Sequence, residues 1–301
     1  SSGYFSIEHM TTRDPEMARL LNRGEALAVI VVPPEFSQRL AEGSPASVQL
    51  LLDGSNANTA AVAQGYAQRI VLDYALERIR ASAAGPVPLP VEHRPRVWYN
   101  SELRYAYFMV LSMIALAGMM VGVITAAAGI VREKESGTIE QMMVTPVTPA
   151  EMIAAKMMPT LAIGLLALVP SLLIAAWIGV PMRGSLALFF LCSAVFLVSS
   201  MGIGILIATV AETMQQALLI SFLVLFPILF LSGTVVPLES MPLGLQYLAE
   251  FSPLRHYMDA ILGIFFKGVG LEMLWHRVAA MAVIGVALLA GGILQLRRRM
   301  R

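Results

Sequence analysis

Five long apolar stretches follow one another after residue 104, and they restrict the fold of this chain more than any other feature. They run over 105–131, 159–180, 185–210, 217–236 and 278–296, and none of them contains Asp, Glu, Lys or Arg. Each reaches about the 20 residues that a helix needs to cross the hydrocarbon of a bilayer. Only 14% of the chain is charged, against about 25% in soluble domains. Residues 105–301 are therefore predicted to form an all-α polytopic membrane domain with five crossings.

Residues 1–104 have a different pattern, which is typical of a small α/β domain. Short runs of aliphatic and β-branched residues at 26–32, 47–52 and 91–99 predict three strands. Helices are predicted over 33–40 and from about residue 58 to about residue 82, where a Gly-Pro-Val-Pro run follows. The sequence starts with Ser-Ser-Gly and shows no signal segment. We expect a sixth membrane helix to precede residue 1.

Basic residues indicate which side of the membrane each loop occupies. Arginines cluster after the last crossing, and Arg132, Lys134 and Lys156 flank the loop between the first two crossings. The positive-inside tendency places both regions in the cytoplasm, and the N-terminal domain then lies outside. Seven other Arg and Lys residues lie near the opposite helix ends, so the charge count alone leaves the orientation open.

The segment over 237–277 is apolar but is broken by Pro and Gly, which excludes one continuous spanning helix. Its many large apolar side chains, among them Leu245, Leu254, Tyr257 and Phe265, are not typical of a free loop. Short helices satisfy their own backbone hydrogen bonds while such side chains are buried. We predict an external re-entrant segment here, and we call 237–277 the lid segment.

No residue of the chain is suited to drive transport or catalysis by itself. Proton-driven pumps place Asp, Glu, His or Arg at membrane depth, and the five crossings contain none of these residues. A phosphate-binding Gly-x-x-x-x-Gly-Lys-[Ser/Thr] loop is absent, and one cysteine, Cys192, without paired histidines offers no metal site. The sequence thus predicts a chain that is not an enzyme, with no catalytic residue, metal or bound cofactor. A separate ATPase subunit is expected to supply the energy.

A charged stretch over 132–158, REKESGTIEQMMVTPVTPAEMIAAKMM, separates the first two crossings. Gly137 permits a sharp change of direction, while Thr148, Pro149 and Glu151 predict a capped helix start. Charge alone is typical of any solvated loop, so the order of the residues is the more specific signal. The stretch is predicted to be a loop that a partner protein can hold.

The order of residues in this stretch resembles that of a known family. The run Arg-Glu-Lys-Glu-x-Gly-Thr-Ile-Glu at 132–140, followed by Thr145-Pro146 and Lys156, closely resembles the first cytoplasmic loop of ABC-2-type transport permeases. These are the membrane subunits of ATP-binding-cassette exporters. The Asp-Gly-Ser-Asn turn at 53–56, the run at 230–237 and the segment at 252–260 support the resemblance, which covers nearly the whole chain.

The resemblance implies a multi-pass permease of the bacterial inner membrane that moves a drug, a lipid-like compound or another small amphipathic molecule outward. It implies a homodimeric or heterodimeric core, two ATPase subunits that bind ATP and Mg, and a periplasmic adaptor as a further candidate partner; nucleic acid is not expected. The ATPase subunits would act on a coupling loop. Its residues are Arg132, Glu133, Lys134, Glu135, Gly137, Thr138, Glu140 and Lys156.

Small residues and prolines within the crossings are candidates for helix contact or gating. Gly118 and Gly122 permit close approach of another helix, for example at a dimer contact, although a chance match is as frequent in a helix so rich in Ala and Gly. Pro170 and Pro227 each remove a helical hydrogen bond and favour a bend. Such bends serve gating in some proteins and are merely structural in others.

Methionine and phenylalanine side chains are candidates for the substrate path. Met113, Met120, Phe222 and Phe226 offer deformable or aromatic surfaces that suit varied apolar cargo. Contact with lipid or with other helices is the alternative for most of them.

A hypothesis from another class is a membrane-anchored envelope interaction protein. In that case residues 1–104 are the active part and the helices only anchor them. The two hypotheses make different demands on the chain, because an anchor tolerates replaced crossings whereas a permease requires its coupling loop.

Overall fold

The structure is a computed structural model that describes residues 5, 7–11, 14–42, 44, 46–81, 91–98, 105–138, 148–238 and 241–299. The chain divides into two compact units, Ser1–Phe108 and Met109–Arg301. The division lies close to the predicted boundary after residue 104. A sixth helix before residue 1 and the external location of the first unit stay predictions.

The first unit contains both helices and strands. Its helices are α1 (Asp14–Arg23), α2 (Phe36–Ala41) and α3 (Ala57–Ala81), and its strands are β1 (Ala28–Val31), β2 (Ala46–Asp53) and β3 (Val91–Trp98). Strand β2 lies in the middle, antiparallel to β1 and parallel to β3. A parallel pair requires a long crossover, and α3 lies within it. The three predicted strands are confirmed, whereas α1 was not predicted.

The core of the first unit lies between β2 and α3. Leu50 and Leu52 alternate along β2 onto one face of the sheet, where they are buried with Ala63 and Ala67 of α3. The turn between these two elements is held by side chains: Asp53 Oδ1 accepts a hydrogen bond from the Ser55 amide at 3.0 Å. The Asp-Gly-Ser-Asn run therefore closes a tight β-to-α connection.

The second unit is helical, and five helices among the described residues are long and apolar enough to cross a membrane. These are α4 (Tyr105–Glu135), α5 (Pro149–Ile178), α6 (Leu186–Val210), α7 (Met214–Leu231) and α10 (Leu271–Arg299). The five predicted crossings are thereby confirmed as helices. Helix α6 is central, because 67% of its most apolar part is buried, against 50% in α4 and 17% in each of α5, α7 and α10.

Four helix ends differ from the sequence prediction by four residues or more, and one of them is the end of α7, which lies at Leu231 instead of residue 236. Helix α4 continues to Glu135 and α5 begins at Pro149, so the connection covers 136–148 and is shorter than the predicted loop over 132–158. Helix α10 begins at Leu271, which places the last part of the predicted lid segment in a long helix. The length of an apolar stretch predicts the part of a helix that lies in the membrane. Arg, Lys, Glu and Ala are good helix formers, so the helix itself can extend beyond that part.

The lid segment forms two short helices, α8 (Leu243–Ala249) and α9 (Pro253–Leu262), and a π-helical turn over Gly263–Lys267. The prediction of short helices is confirmed. The parts of the lid segment differ in burial. Leu254 and Tyr257 of α9 and Phe265 of the π-helical turn are buried, whereas Leu245 of α8 and Phe251, which follows α8, are exposed. The second half of the segment is thus part of the helical core.

Candidate functional site

The candidate site lies where α4 ends, and we call it the charged junction: residues 132–138, Lys156, and the turn over 208–214 that joins α6 to α7. Gly137 lies two residues beyond the end of α4, and its φ of +67° is in the left-handed region that favours glycine. Ser136 Oγ donates to the Arg132 carbonyl at 2.9 Å, and Thr138 Oγ1 donates to the Glu133 carbonyl at 3.2 Å. These bonds satisfy carbonyls that the helix leaves without a partner.

Glu133 joins α4 to α5. Its Oε1 pairs with Lys156 Nζ, and its side chain is only 19% exposed while that of Lys156 is 39% exposed. Oε2 of Glu133 is buried and has no hydrogen-bond partner within the described part of the chain. Removal of Lys156 would leave a half-buried carboxylate without its counter-ion, which is costly in an apolar setting.

Lys134 joins α4 to the C-terminal end of α6. Its ammonium group donates to the carbonyl oxygens of Ala208 and Ala211, the second at 3.1 Å. The last carbonyls of a helix lack intrahelical partners and carry the negative end of the helix dipole. A lysine is therefore well suited to cap this end.

Glu135 joins α4 to the first turn of α7. Its Oε1 accepts a hydrogen bond from the Met214 amide at 2.8 Å. The same turn is closed locally, because Thr213 Oγ1 accepts from the Gln216 amide at 3.3 Å and Gln216 Oε1 accepts from the Glu212 amide at 2.9 Å. A carboxylate at this positive helix end is favourable.

Three successive residues of the charged junction thus reach three different helices. One residue turns about 100° around a helix axis, so Glu133, Lys134 and Glu135 point in different directions from the end of α4. Arg132 is exposed, and Glu140, the remaining predicted coupling residue, lies outside the described residues. The sequence identified these residues as a group, but their individual partners became apparent only from the structure.

The structure places Gly122 at a helix contact within the chain. A Cβ on Gly122 would lie 2.7 Å from Ser200 Cβ of α6, whereas one on Gly118 would make an ordinary 3.5 Å contact with Phe196. Gly204 of α6 is closer still to α4, since its Cβ would lie 2.3 Å from the Val123 carbonyl oxygen. This side of α4 therefore packs closely against α6.

The two candidate prolines lie inside continuous helices, Pro170 in α5 and Pro227 in α7. Both are exposed on the helix surface. A helix that continues through a proline lacks one backbone hydrogen bond there.

The candidate path residues lie largely on the surface of the second unit. Met113 is 53% exposed, Phe222 50% and Phe226 62%, while Met120 is half-buried. These side chains are therefore available to lipid, to another chain or to cargo.

A small pocket adjoins the charged junction. It has a volume of about 30 Å³ and lies between α4, α5 and α6, where Thr125, Gly129, Lys156 and Thr160 are among its lining residues. That volume holds about one or two water molecules. Drug-sized ligands require pockets of about 300 Å³ or more, so this pocket is not a cargo site.

Within the described ranges, no group of three or more His, Cys, Asp or Glu side chains is arranged to hold a metal ion. Cys192, the single cysteine, is buried in α6.

A second polar cluster, missed by the sequence analysis, links the lid segment to the start of α10. Glu250 pairs with Arg255 at 2.7 Å, and Arg277 of α10 pairs with Asp259 at 3.2 Å and with Glu250 at 3.9 Å. His256 is 3% exposed, and its Nε2 is hydrogen-bonded to the Glu250 carbonyl oxygen at 2.8 Å. Burial lowers the pKa of His256, against the opposing effect of that hydrogen bond. Acidic and basic residues within one apolar segment were the available signal, but the basic ones were interpreted only as indicators of membrane orientation.

Comparison with known proteins points to one family. Residues 1–294 match the family described as ABC-2 family transporter protein. Among curated proteins, the chain is 34% identical over 270 residues to the Escherichia coli K12 protein named probable multidrug ABC transporter permease YbhR, covering 89% of this chain and 73% of that one. It is 31% identical over 300 residues to the inner membrane transport permease YhhJ of the same organism, covering 98% of this chain and 79% of the relative. A third relative there, probable multidrug ABC transporter permease YbhS, is 28% identical over 256 residues, covering 84% of this chain and 68% of its own.

Proposed function

This chain belongs to the ABC-2 family of transporter proteins, and from that premise we propose that it is the permease subunit of an ABC exporter. In this proposal a separate ATPase subunit binds ATP and Mg²⁺ and supplies the energy. The cargo is a small amphipathic molecule, such as a drug or a lipid-like compound, and it moves outward. Two relatives are named probable multidrug ABC transporter permease, and these names support this class of cargo.

The charged junction is the observation that carries the proposal. Glu133, Lys134 and Glu135 join the end of α4 to α5, to the end of α6 and to the start of α7. A force applied to the connection over 136–148 therefore acts on four membrane helices together. A permease that is moved by a separate ATPase subunit requires such a joint between its helices.

We further propose an orientation and a setting. The charged junction and the C-terminal arginines lie in the cytoplasm, the first unit and the lid segment lie outside, and the membrane is the bacterial inner membrane. The positive-inside tendency supports the orientation, and the name of the relative YhhJ supports the membrane. A periplasmic adaptor that binds the first unit completes the proposed set of partners.

The proposed working unit contains two permease copies, identical or related, with the cargo path between them. Large apolar side chains on the surface of the second unit support contact with lipid or another copy, since Trp177 is 88%, Leu223 73% and Val283 69% exposed. The path residues Met113 and Phe222 share this surface character. The pocket beside the charged junction, at about 30 Å³, is too small to serve instead.

Reconstitution tests the proposal directly. The chain is purified from membranes with any nucleotide-binding subunit that accompanies it, placed in vesicles, and assayed for ATP-dependent movement of a fluorescent amphipathic dye. We expect Glu133→Ala and Gly137→Pro to abolish transport and its coupling to ATP hydrolysis while the folded protein stays in the membrane. Arg298→Met, which removes one exposed charge at the end of α10, is the matched control and should transport normally.

Paired variants separate the ion pair from general damage. Lys156→Met should destabilise the folded protein more than the double variant Glu133→Gln/Lys156→Met, because the second change removes the carboxylate left without its partner. Full transport by Glu133→Ala would refute the role of the charged junction. The anchor hypothesis would instead be supported if activity survived replacement of the crossings and was lost on deletion of residues 1–104.

A further inference from the structure

The central helix α6 contacts the charged junction at one end and the lid segment at the other. At its C-terminal end, the Ala208 and Ala211 carbonyls accept hydrogen bonds from the Lys134 ammonium group. Displacement of the end of α4 therefore pulls directly on α6, through a contact between a full positive charge and the negative end of a helix.

Near its other end, α6 holds the lid segment through several kinds of contact. Ser193 Oγ and Tyr257 Oη are hydrogen-bonded at 2.8 Å, and the Tyr257 ring stacks on Phe196 with centroids 4.1 Å apart and planes 3° from parallel. Phe189 meets Phe265 edge-on at 5.6 Å. All of these side chains are buried, so helix α9 and the π-helical turn pack closely against α6.

The connection between α5 and α6 strengthens this attachment. The Arg183 amide donates to the Phe265 carbonyl at 3.0 Å. A Cβ on Gly184 would lie 2.6 Å from the Ile264 carbonyl oxygen, so the backbone of the connection rests against the π-helical turn. The N-terminal end of α6 and the lid segment cannot shift past each other without breaking several contacts.

Helix α6 is built to transmit a displacement along its axis. It runs unbroken over Leu186–Val210 and contains no proline, whereas α5 contains Pro159 and Pro170 and α7 contains Pro227. From Ser193 to Ala208 the helix is about 22 Å long at 1.5 Å per residue. It therefore spans most of the distance between the two joints as one rigid element.

We propose that α6 carries the movement of the charged junction to the lid segment, and that Lys134 is the positioning residue that joins α6 to α4. The inference rests on the proposed function, because ATP hydrolysis in a partner subunit supplies the movement. In this proposal Lys134 acts through its contacts with α6 and not on the cargo itself. It acts by keeping the end of α6 bound to the end of α4 throughout the cycle.

Cysteine labelling of the lid segment tests this inference in the complex with its ATPase subunit. Tyr247 of α8 is 72% exposed, and α8 is tied to α9 by the hydrogen bond from Arg255 to the Gln246 carbonyl. Tyr247→Cys supplies the reporter thiol, since the native Cys192 is buried. The rate of reaction with a maleimide is measured with and without ATP in four proteins that all carry Tyr247→Cys. One has no further change, and the others also carry Lys134→Met, Lys134→Arg or the control Arg298→Met.

We expect ATP to change the labelling rate by about fivefold or more, the lower end of an ordinary coupling between sites. Lys134→Met should abolish that change while ATP hydrolysis continues, and Lys134→Arg should retain it because a guanidinium group also donates to carbonyl oxygens. Tyr257→Phe should reduce the change by loosening the second joint. The control should behave as the parent.

Two outcomes would overturn the inference, and dye transport by the same vesicles shows whether the proposed function falls with it. An ATP-dependent change that persists in full in Lys134→Met means that the lid segment is driven by another route. No ATP-dependent change in the parent means that the lid segment does not move. If the parent still transports dye, only the inference fails; if it does not, the proposed function fails as well.

Discussion

The contact between Gly204 of α6 and α4 permits a quantitative test of how the second unit is packed. An added Cβ would lie 2.3 Å from the Val123 carbonyl oxygen and 2.9 Å from Ala126 Cβ, whereas ordinary contacts begin at 3.4 Å. Both neighbours belong to a helix, so no flexible side chain can simply turn away. The Gly204→Ala variant must displace α4 by about 1 Å.

The expected cost follows from comparison with an uncrowded glycine. Inserting a methyl group into a well-packed site costs about 1–3 kcal/mol, while replacing Gly by Ala inside a helix contributes about 1 kcal/mol of stability through propensity. Gly129 of α4 has nothing within 4 Å of its added Cβ. Because both variants share the propensity effect, Gly204→Ala should be less stable than Gly129→Ala by about 1–3 kcal/mol.

Reversible unfolding in mixed micelles, followed by circular dichroism, measures this difference. Gly122→Ala, whose Cβ would lie 2.7 Å from Ser200 Cβ, should fall between the two. Equal stability of Gly204→Ala and Gly129→Ala would refute the close contact of α4 with α6. A Gly122→Ala variant that weakened a dimer and left the single chain unaffected would support the hypothesis that this glycine lies at a dimer contact.

Three further predictions concern the ends and the lid segment of the second unit. Gly137→Ala places a side chain at a φ of +67° and should destabilise the end of α4 by about 1 kcal/mol, seen as faster amide exchange over 135–138. Tyr257→Phe removes the hydrogen bond to Ser193 but keeps the ring stack, so it should cost about 1 kcal/mol in the free energy of unfolding, against about 3–5 kcal/mol for Tyr257→Ala. Burial lowers the pKa of His256 from its ordinary 6.5, so the unfolded state binds more protons and stability should fall as the pH drops below that value. His256→Gln should flatten this part of the profile between about pH 7.5 and about pH 5, as measured by thermal unfolding.

The secondary-structure elements that depend on neighbouring residues in the sequence were predicted correctly. The strands β1, β2 and β3 and the five long helices follow from runs of apolar residues whose physical cause is local, namely burial in a sheet or in lipid. The capped start of α5 is also local: Thr148 Oγ1 accepts from the Glu151 amide at 3.4 Å, and Glu151 Oε2 accepts from the Thr148 amide at 2.8 Å. Helix ends beyond the apolar stretches were predicted less well, because charged residues at 132–135 are good helix formers.

The partners of the charged residues could not be predicted in the same way. Lys134 and Ala211 are far apart in sequence, as are Arg277 and Glu250, and they meet only because the helices pack as they do. The same holds for Gly122, for which a dimer contact was one of two interpretations and whose neighbour within the chain lies in α6.

The sequence by itself determined that this chain crosses a membrane as helices, that its apolar stretches contain no Asp, Glu, His, Lys or Arg, and that one charged segment is distinctive of a permease family. Those properties depend on composition and spacing, which the local chain carries in full. The tertiary structure alone decided that α6 is the central helix and that Glu133, Lys134 and Glu135 bind three different helices. The physical reason is that a helix presents its side chains in every direction, and only packing selects which neighbour each of them meets.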